Sequence, residues 1–481
     1  MARKRRRRHE VDVTQNPRNS AWRRPGAVLL VSCYELGHQP HGVTLPKAFL
    51  ERAGFSPDVM DLSVEDFNAA RVQRARFVAI SVPMHTALRL GESVARRVRD
   101  TEPEAHICFH GHYALLHGPA LLRDGLADSV LGGELEQELV EQLEALAGGS
   151  ARVERRTRPV LAKLDFPVPS RSGLPGLECY AHLVHGDTHV VAGYAEATRG
   201  CLYRCRHCPI PAVYDGRLFV VPVDVVLEDV RQQVRAGARH ITFGDADFLN
   251  GPSHALRLAS ALHQEFPEVT FDFTAKVEHI LEHAAVVRQL AEYGALFMVS
   301  AVECLNDDVL AILDKGHTRR DVDAALAVAR DAGIALRPSL LPFTPWSTLQ
   351  DFVDLLDWVE REDLVEHVDP VHFTIRLLVP PGSLLLTHPE MQLHLGDLDR
   401  QNLTYAWRHP DPEMDTLQAE LAQVVEASVL RKDEAHETFE LVRAHVDGLC
   451  GVATATAGRT THKTPRRRRQ RPPRLTESWF C

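Results

Sequence analysis

The amino-acid sequence predicts an α/β protein: an N-terminal doubly wound parallel sheet, then a partial (β/α)6 barrel of the TIM type and a small helical C-terminal region. Two observations support this fold class. Short apolar runs alternate with helical patterns from about residue 26 to residue 147, and a second such series begins at Gly193. Between the two series, Gly148, Gly149 and Ser150 open a stretch to about residue 190 that is typical of a linker.

The first series has strand and helix patterns of the lengths found in βαβ units, which form parallel sheets. Apolar runs predict strands over Val28–Ser32, Phe77–Val82 and His106–His110. Helical patterns cover Val43–Ala53, Leu88–Asp100 and Leu135–Leu146. Sheets of this kind bind ligands beyond the carboxyl ends of their strands.

The second series repeats six strand–helix steps over about 190 residues, which is too short for an eight-unit barrel and fits a partial one. Strands are predicted over 191–198, 240–243, 269–275, 296–302, 334–341 and 371–378. Helices are predicted between them over 225–236, 253–264, 279–292, 320–332 and 348–361. Two amphipathic helices follow, over 415–430 and 436–448.

Charge separates the ends of the chain from its body. The net charge is −10, but residues 3–8 hold six positive charges and Lys463 to Arg474 hold seven, which leaves about −23 on the rest. Arginine and proline runs cannot bury apolar surface, so both ends are expected to be disordered, with nucleic-acid binding as the alternative. The predicted organisation is a basic tail (1–25), a doubly wound domain (26–148), a linker (149–190), a barrel (191–390), a helical region (391–450) and a second basic tail (451–481).

The expected location is the cytoplasm, without a membrane partner. Apolar runs stay short of the roughly 20 residues that span a bilayer, and no apolar segment follows the basic N-terminus as it would in a secretory signal. The nine cysteines are odd in number and six of them are scattered, which argues against a disulfide framework.

The clustered cysteines are Cys201, Cys205 and Cys208, at the spacing C-x3-C-x2-C. Three soft thiolates on one loop can bind three irons of a [4Fe–4S] cubane. The fourth iron then stays open, and S-adenosylmethionine could complete it through its amino and carboxylate groups. A zinc knuckle with His207 as the fourth ligand is the alternative, although zinc sites usually show a second ligand pair.

This loop, after the first strand of a six-step βα series, resembles the radical S-adenosylmethionine superfamily. Arg199-Gly-Cys201 behind a doubly wound domain, with Gly132-Gly-Glu-Leu-Glu136 closing that domain, is similar to the superfamily's cobalamin-binding-domain branch. Residues 26–390 most resemble radical S-adenosylmethionine proteins named for a C-terminal Cys-Cys-Ala-Glu-Pro or Cys-selenocysteine-Ala-Glu-Pro tail. The matching stretches are 204–209, 241–245, 313–318, 342–346 and 375–383.

The resemblance implies roles for residues around the cluster. His207, directly before the third cysteine, would lie over the adenine of S-adenosylmethionine. The residues implied at the amino group of the methionine moiety are Gly244, Asp245 and Asp247, and those implied at the ribose hydroxyls are Ser300 and Glu303. Structural roles, as helix caps or buried carboxylates, stay open for the acidic residues.

Other polar residues lie at or near strand ends of the same face: Lys276, Glu278, Lys315, His317, Arg337 and Arg376. Contacts with a substrate or cofactor and buried ion pairs are equally open for them. His279 and His283, which stand at helical spacing, are expected to be surface residues because no third metal ligand is evident beside them.

The N-terminal domain raises the question of cobalamin. Cobalamin domains that replace the lower ligand use Asp-x-His-x-x-Gly after the first strand, whereas the loop Tyr34 to Gly42 has His38 and His41 without an aspartate two residues before either. The fold either binds cobalamin without that ligand, which we favour, or has lost the cofactor. A flavin is the weaker option, because no Gly-rich phosphate loop follows Ser32.

The sequence stops at Cys481, after Leu475-Thr-Glu-Ser-Trp-Phe. In the family with the Cys-Cys-Ala-Glu-Pro tail, such a segment continues with a second cysteine or selenocysteine. The chain is therefore expected to be a selenoprotein cut at a UGA codon, with Cys481 as half of a redox pair. An incidental thiol is the alternative.

The predicted function is reductive cleavage of S-adenosylmethionine at a [4Fe–4S] cluster to a 5′-deoxyadenosyl radical, which abstracts hydrogen from a substrate, with methyl transfer if cobalamin is bound. A low-potential electron donor of the flavodoxin or ferredoxin type is expected, and a nucleic-acid partner is not. One alternative is an RNA methylthiotransferase, whose second cluster would use Cys33, Cys108 and Cys179. The other is a non-catalytic Fe–S or zinc binding or sensor module.

Overall fold

The computed structural model describes residues 17–150, 157–450 and 471–477. They form two compact units, one built from residues up to Tyr34 with Gly42–Leu174, and one from Glu35–His41 with the residues from Pro175 onward. Cys481 and most of both basic tails lie outside the described residues.

The first unit contains a parallel sheet with strand order β2-β1-β3-β4-β5. Its strands are β1 Val28–Ser32, β2 Asp58–Asp61, β3 Phe77–Ser81, β4 His106–His110 and β5 Ser129–Leu131. The helices of this part of the chain are α1 Pro17–Trp22, α2 His41–Arg52, α3 Ala69–Arg74, α4 His85–Thr101, α5 His112–Arg123 and α6 Glu136–Ala147. Strands β1 and β3 are buried throughout, as in sheets covered on both faces. The doubly wound prediction is confirmed, with its switch point between β1 and β3.

The second unit contains a curled sheet with strand order β13-β12-β11-β10-β7-β6-β16. Its parallel strands are β7 Thr188–Ala195, β10 His240–Phe243, β11 Thr270–Thr274, β12 Ala295–Glu303 and β13 Ala335–Leu340. One edge carries the antiparallel strands β6 His182–His185 and β16 Arg474–Leu475. Two separate antiparallel sheets have two strands each. One pairs β8 Thr198–Gly200 with β9 Leu218–Val220, and the other pairs β14 Leu395–Asp399 with β15 Thr404–Trp407. The partial-barrel prediction is confirmed.

Helices follow these strands in the order of a βα series. They are α7 Ile210–Tyr214, α8 Val223–Arg235, α9 Pro252–Glu265, α10 Val277–Glu282, α11 Ala284–Glu292, α12 Asp307–Leu313, α13 Arg319–Ala332, α14 Leu349–Arg361, α15 Pro389–Gln392, α16 Pro412–Arg431 and α17 Ala435–Leu449. The last two match the helices expected near the C-terminus. Within the described residues, no helix is long and apolar enough to cross a membrane.

Capping explains why the outer helices begin and end where they do. In α14 the side chains of Thr348 and Asp351 form a capping box, which satisfies backbone N–H groups of the first turn. The helix then turns an apolar stripe inward, and Trp358 is fully buried while its Nε1 donates to Asp323 Oδ1 at 2.9 Å. Burying one large apolar side chain stabilises the fold by about 1.5–3 kcal/mol, so this stripe fixes α14 on the sheet.

Two expected elements differ in the structure. The strand expected over 371–378 is a 3-10 turn, Pro370–Thr374, followed by a single bridge between Phe343 and Arg376. Pro370 fixes the turn, and Nδ1 of His372 accepts the backbone N–H of Leu340 at 3.2 Å, which takes the place of a ladder bond. The helix expected over 279–292 is divided at residue 283 into α10 and α11.

Candidate active site

The cysteine loop begins where β8 ends, at a residue that must be glycine. Gly200 has a φ of +81°, in the left-handed region. A Cβ at this position would collide with the carbonyl of Arg217 and the ring of Tyr214. The turn leads directly into Cys201, which is half-buried, as is Cys208.

Arg206 holds the middle of the loop against the carboxyl end of α12. Its guanidinium donates to the carbonyls of Ala311, at 3.0 Å, and Ile312, at 2.7 Å, and its backbone N–H donates to Leu313 at 2.9 Å. The last carbonyls of a helix have no partner within the helix, so an arginine there stabilises both elements. On the other side, Ser383 Oγ donates to the carbonyl of Arg206 at 3.1 Å.

The three thiols are close enough to affect one another's ionisation. Burial raises the pKa of Cys208 to about 12, with Cys205 and Cys201 adding to the rise and Lys315 opposing it. Burial also raises the pKa of Cys201, while Asn250 Nδ2 donates to its Sγ at 3.4 Å. Metal binding deprotonates thiols and supplies the positive charge that such buried sulfurs lack. The donor set therefore fits an iron–sulfur cluster.

Glu303 joins this loop to the carboxyl end of β12. Its Oε1 accepts a hydrogen bond from Lys315 Nζ at 2.8 Å and lies 3.2 Å from Nε2 of His207. Burial opposes ionisation of Glu303, but Lys315 and His207 outweigh it and hold the carboxyl pKa well below its usual range. Nδ1 of His207 is buried and has no hydrogen-bond partner in the part of the chain that the structure describes. The loop thus holds an unpaired imidazole nitrogen beside a fixed carboxylate, polar groups that fit a nucleoside ligand.

Asp245 and Gly244, at the carboxyl end of β10, support the chain that leads into the loop. The Asp245 carboxylate accepts the N–H of Ala197, at 3.0 Å, and the hydroxyl of Thr198. Burial raises the pKa of Asp245 to about 7. Gly244 lies against the phenol ring of Tyr194, where a Cβ would collide. Glycine at this position is therefore required for the close packing of the chain against Tyr194.

Asp247 and Asn250 belong to the turn after β10. Asp247 Oδ1 accepts the N–H of Leu249 at 3.0 Å, and its Oδ2 binds Nδ1 of His279 at 2.7 Å. Asn250 Oδ1 accepts the N–H of Leu202 at 3.3 Å, so this turn also supports the start of the cysteine loop. His279 is buried, and the prediction that it is a surface residue is wrong, because its imidazole is paired with the Asp247 carboxylate.

Ser300 lies on the other side of β12. Val299 is in register with Arg337, and both line a cleft on the inner face of the curled sheet. Because side chains alternate along a strand, Ser300 is turned away from that face. Its hydroxyl is buried and, among the described residues, has no hydrogen-bond partner. The structure brings His207, Glu303 and the cysteines together, but not Ser300.

The cleft on the inner face is polar. Arg337 Nη2 donates to Asp369 Oδ1 at 3.0 Å, and Nη1 is buried without a partner among the described residues. The C-terminal segment adds Leu475 of β16, and Glu477 after this strand, to the wall. The cleft is lined by Asp272, Phe297, Val299, Arg337, Pro338, His367, Asp369, His372, Leu475 and Glu477.

The loop after β1, Glu35–His41, belongs to the second unit, and its two histidines contact other side chains of that unit. The ring centroid of His38 lies 4.9 Å from that of Tyr194. His41 Nε2 lies 3.5 Å from Glu196 Oε2, and Arg199 Nε lies 3.8 Å from the same oxygen. Both histidines are buried.

Sequence reasoning missed several residues that shape the site, among them Asn250, Arg206, Tyr194 and Tyr203. Lys276 Nζ lies 3.3 Å from the ring centroid of Tyr203, a cation–π contact that ties the cysteine loop to the loop after β11. Asn250 and Tyr194 belong to no motif that spacing could reveal. The available signal was position: Tyr203 and Arg206 stand between the cysteines themselves.

Comparison with known sequences gives a family match over part of the chain and several distant relatives. Residues 196–359 match the profile of the Radical SAM superfamily. Hopanoid C-3 methylase of Methylococcus capsulatus is 24% identical over 429 residues, which are 85% of this chain and 80% of that protein. A tRNA-2-methylthio-N(6)-dimethylallyladenosine synthase of Fusobacterium nucleatum is 26% identical over 181 residues, 34% of this chain and 40% of that protein.

Two solved structures share the fold. TsrM from Kitasatospora setae, a radical S-adenosylmethionine methyltransferase with cobalamin and a [4Fe–4S] cluster bound, aligns with a TM-score of 0.59 at 17% identity over 71% of this chain and 74% of that chain. OxsB, a cobalamin-dependent S-adenosylmethionine radical enzyme with aqua-cobalamin bound, aligns with a TM-score of 0.64 at 15% identity over 84% and 67%. At these identities the likeness establishes the fold.

Proposed function

We propose that this chain is a radical S-adenosylmethionine enzyme, as the match of residues 196–359 to that superfamily indicates. It holds one [4Fe–4S] cluster on Cys201, Cys205 and Cys208 and binds S-adenosylmethionine beside it. The observation that carries the proposal is a loop with three thiols and a buried Lys315–Glu303 pair next to it. The cluster leaves one iron for S-adenosylmethionine, because the loop supplies three thiols.

When bound, the cluster and S-adenosylmethionine supply a 5′-deoxyadenosyl radical, which abstracts hydrogen from the substrate. Residues of the chain fix the cysteine loop and offset part of its charge. Arg206 fixes the loop to α12, and Lys315 puts a positive charge next to Cys205 and Cys208, which offsets part of the negative charge of the thiolates. The electron is proposed to come from a low-potential donor of the flavodoxin or ferredoxin type.

The contacts to S-adenosylmethionine are proposed from the open polar groups. We assign Nδ1 of His207, which lacks a partner among the described residues, to the adenine. Because Lys315 and His207 both bond to Oε1 of Glu303, we assign its Oε2 to the ribose hydroxyls. The carboxylates of Asp245 and Asp247 already accept hydrogen bonds from the chain. We therefore assign these two residues to positioning the loops around the methionine moiety, with Gly244 as a packing position.

The type of reaction that we propose is cobalamin-dependent methyl transfer. Among the similar proteins, hopanoid C-3 methylase is a methylase, TsrM is a methyltransferase, and OxsB is a cobalamin-dependent enzyme. In the first unit, the carboxyl end of β1 at the switch point carries the buried hydroxyl of Ser32, which lacks a partner among the described residues. His38 and His41 contact Tyr194 and Glu196, so we propose that cobalamin is held without a histidine lower ligand.

The test is anaerobic reconstitution of the full chain with iron and sulfide, reduction, and an assay for 5′-deoxyadenosine after addition of S-adenosylmethionine. Cys205→Ala should lose both the cluster and the nucleoside, because a loop with two thiols cannot hold three irons. Cys179→Ala is the matched control, since Cys179 is an exposed thiol outside the loop. A chain that binds zinc in place of iron would contradict the proposal.

Iron content separates this proposal from RNA methylthiolation. A single cluster gives about four irons per chain, and a second one gives about eight. Cys108, one of the ligands that a second cluster would need, is fully buried in the middle of β4, and burial raises its thiol pKa to about 12. We therefore propose one cluster. An oxygen-sensitive cluster on free thiols suits a reducing compartment, and we propose the cytoplasm.

A further inference from the structure

A second group of potential metal ligands lies at the end of α10, apart from the cysteines. His279, Glu282 and His283 each offer one ligand atom, and these atoms all lie within 4.8 Å of one another. His279 is buried, His283 half-buried and Glu282 exposed. The sequence places the two imidazoles four residues apart, with the carboxylate one residue before the second. Two of the three side chains therefore reach the surface.

Asp247 orients the buried imidazole for this purpose. Its Oδ2 binds Nδ1 of His279 at 2.7 Å, and the exposed fractions of the two side chains are 1% and 6%. A carboxylate at Nδ1 makes that nitrogen the donor and leaves Nε2 with a lone pair. Metal-binding histidines usually make such a bond through their other nitrogen, which fixes the tautomer and increases the basicity of the ligand. The Asp247–His279 pair therefore fixes the tautomer of the imidazole, which a His-x-x-x-His spacing alone does not do.

We propose that His279, Glu282 and His283 bind one divalent transition-metal ion of the zinc type, through two imidazoles and one carboxylate. Imidazole nitrogen with carboxylate oxygen suits Zn²⁺ and Co²⁺. Three protein ligands leave the fourth position of a tetrahedral ion open to water or to a small ligand. The nearby Glu278, whose Oε2 is bonded to Lys276, adds to the acidic character of α10.

The side chain of Tyr203 links the site to the cysteine loop. The ring of Tyr203 meets that of His279 edge-on, with the centroids 4.9 Å apart. An ion that fixes His279 would therefore also restrain Tyr203, which stands between Cys201 and Cys205. The metal site is accordingly a second metal centre on the chain, with a mechanical connection to the first.

The test is titration of the full chain, already loaded with its iron–sulfur cluster, with Co²⁺ under anaerobic conditions. In this state iron occupies the cysteines. One Co²⁺ per chain should bind with weak visible d–d bands and without the strong thiolate-to-cobalt charge-transfer absorption that cysteine ligands produce. Zn²⁺ should displace it.

His283→Ala and Glu282→Gln should each weaken Co²⁺ binding at least about tenfold. Both positions are accessible to solvent, so neither variant should disturb the core, and an unchanged iron content verifies this. His189→Ala, which removes an exposed histidine on β7, should bind Co²⁺ as tightly as the wild type. The proposal is overturned if Co²⁺ does not bind, if it shows thiolate charge transfer, or if His283→Ala and Glu282→Gln bind it like the wild type.

Discussion

The buried ion pair between Lys315 and Glu303 gives a sharp test of how the site is held together. Nζ and Oε1 are 2.8 Å apart, and the side chains are 4% and 8% exposed. Glu303→Gln leaves the ammonium of Lys315 in a buried place without a counter-ion. Lys315→Met leaves the buried carboxylate with His207 as its remaining ionisable partner. The double variant leaves neither charge behind.

The expected magnitudes differ between the single and double variants. Removing one partner of a buried pair costs about 3–5 kcal/mol, because the remaining charge is desolvated and unpaired, whereas replacing both with neutral groups costs far less. Since 1 kcal/mol corresponds to roughly 1.6 °C for a unit of about 300 residues, each single variant should lower the melting temperature by about 5–8 °C. The double variant should recover most of that loss.

The assay is thermal unfolding of the metal-free chain followed by tryptophan fluorescence, which reports mainly on the second unit through Trp346, Trp358 and Trp407.

The ion pair between Lys315 and Glu303 also predicts a pH effect. The pKa of Glu303 is depressed in the folded chain, so its stabilisation is present above the ordinary value of 4.5 and is lost as the pH falls below it. Glu303→Gln should lack that acid-induced loss. Single variants that melt within about 3 °C of the wild type, or a double variant whose loss equals the sum of both, would refute the reasoning.

Three further outcomes are expected. Arg206→Ala should reduce the iron bound per chain and cost about 1–2 kcal/mol, because the last carbonyls of α12 lose a charged donor; an unchanged iron content would contradict the role given to Arg206. Gly200→Ala should abolish cluster assembly, since the left-handed turn beside Arg217 cannot take a Cβ, and iron analysis checks this. Burial raises the pKa of Asp245 to about 7, so the neutral form stabilises the fold below its ordinary pKa of 3.8 and this contribution is lost as the pH rises through 7. Asp245→Asn should therefore flatten the decline in melting temperature between about pH 4 and 7.

The sequence was sufficient for the parts of the fold that local patterns dictate. Strands such as Phe77–Ser81 are continuous apolar runs, and helices such as Arg319–Ala332 start at a capping box and end before a glycine with a φ of +75°. Both signals lie within a few neighbouring residues. The strand expected at 371–378 was predicted from an apolar run of the right composition. It does not form, because Pro370 begins a 3-10 turn and the His372 side chain takes the place of a ladder hydrogen bond.

The site was predictable where its residues are adjacent in the chain and less so where the fold brings them together. The cysteines stand within eight positions and could be recognised from spacing. His207 and Glu303 are 96 positions apart, and their contact depends on how β12 ends. Asp247 was expected to meet a ligand, yet its partner is His279, which lies 32 positions away. A sequence pattern gives the end of a strand but not the direction in which a carboxylate there turns.

The end of β12 shows why Glu303 stands out among these carboxylates. Its φ is +64°, which is unfavourable for any residue other than glycine, asparagine or aspartate, and the register with β13 shifts between Ala301 and Glu303. Such a conformation costs about 1–3 kcal/mol and persists only where its surroundings enforce it. Here the carbonyl of Glu303 accepts the N–H of Leu341 at 2.7 Å, and the side chain is fixed by Lys315. A residue that only packs in the core would gain nothing from this strain. Here the bulge turns a charged carboxylate toward His207 and the cysteine loop, and active sites retain strained conformations of this kind.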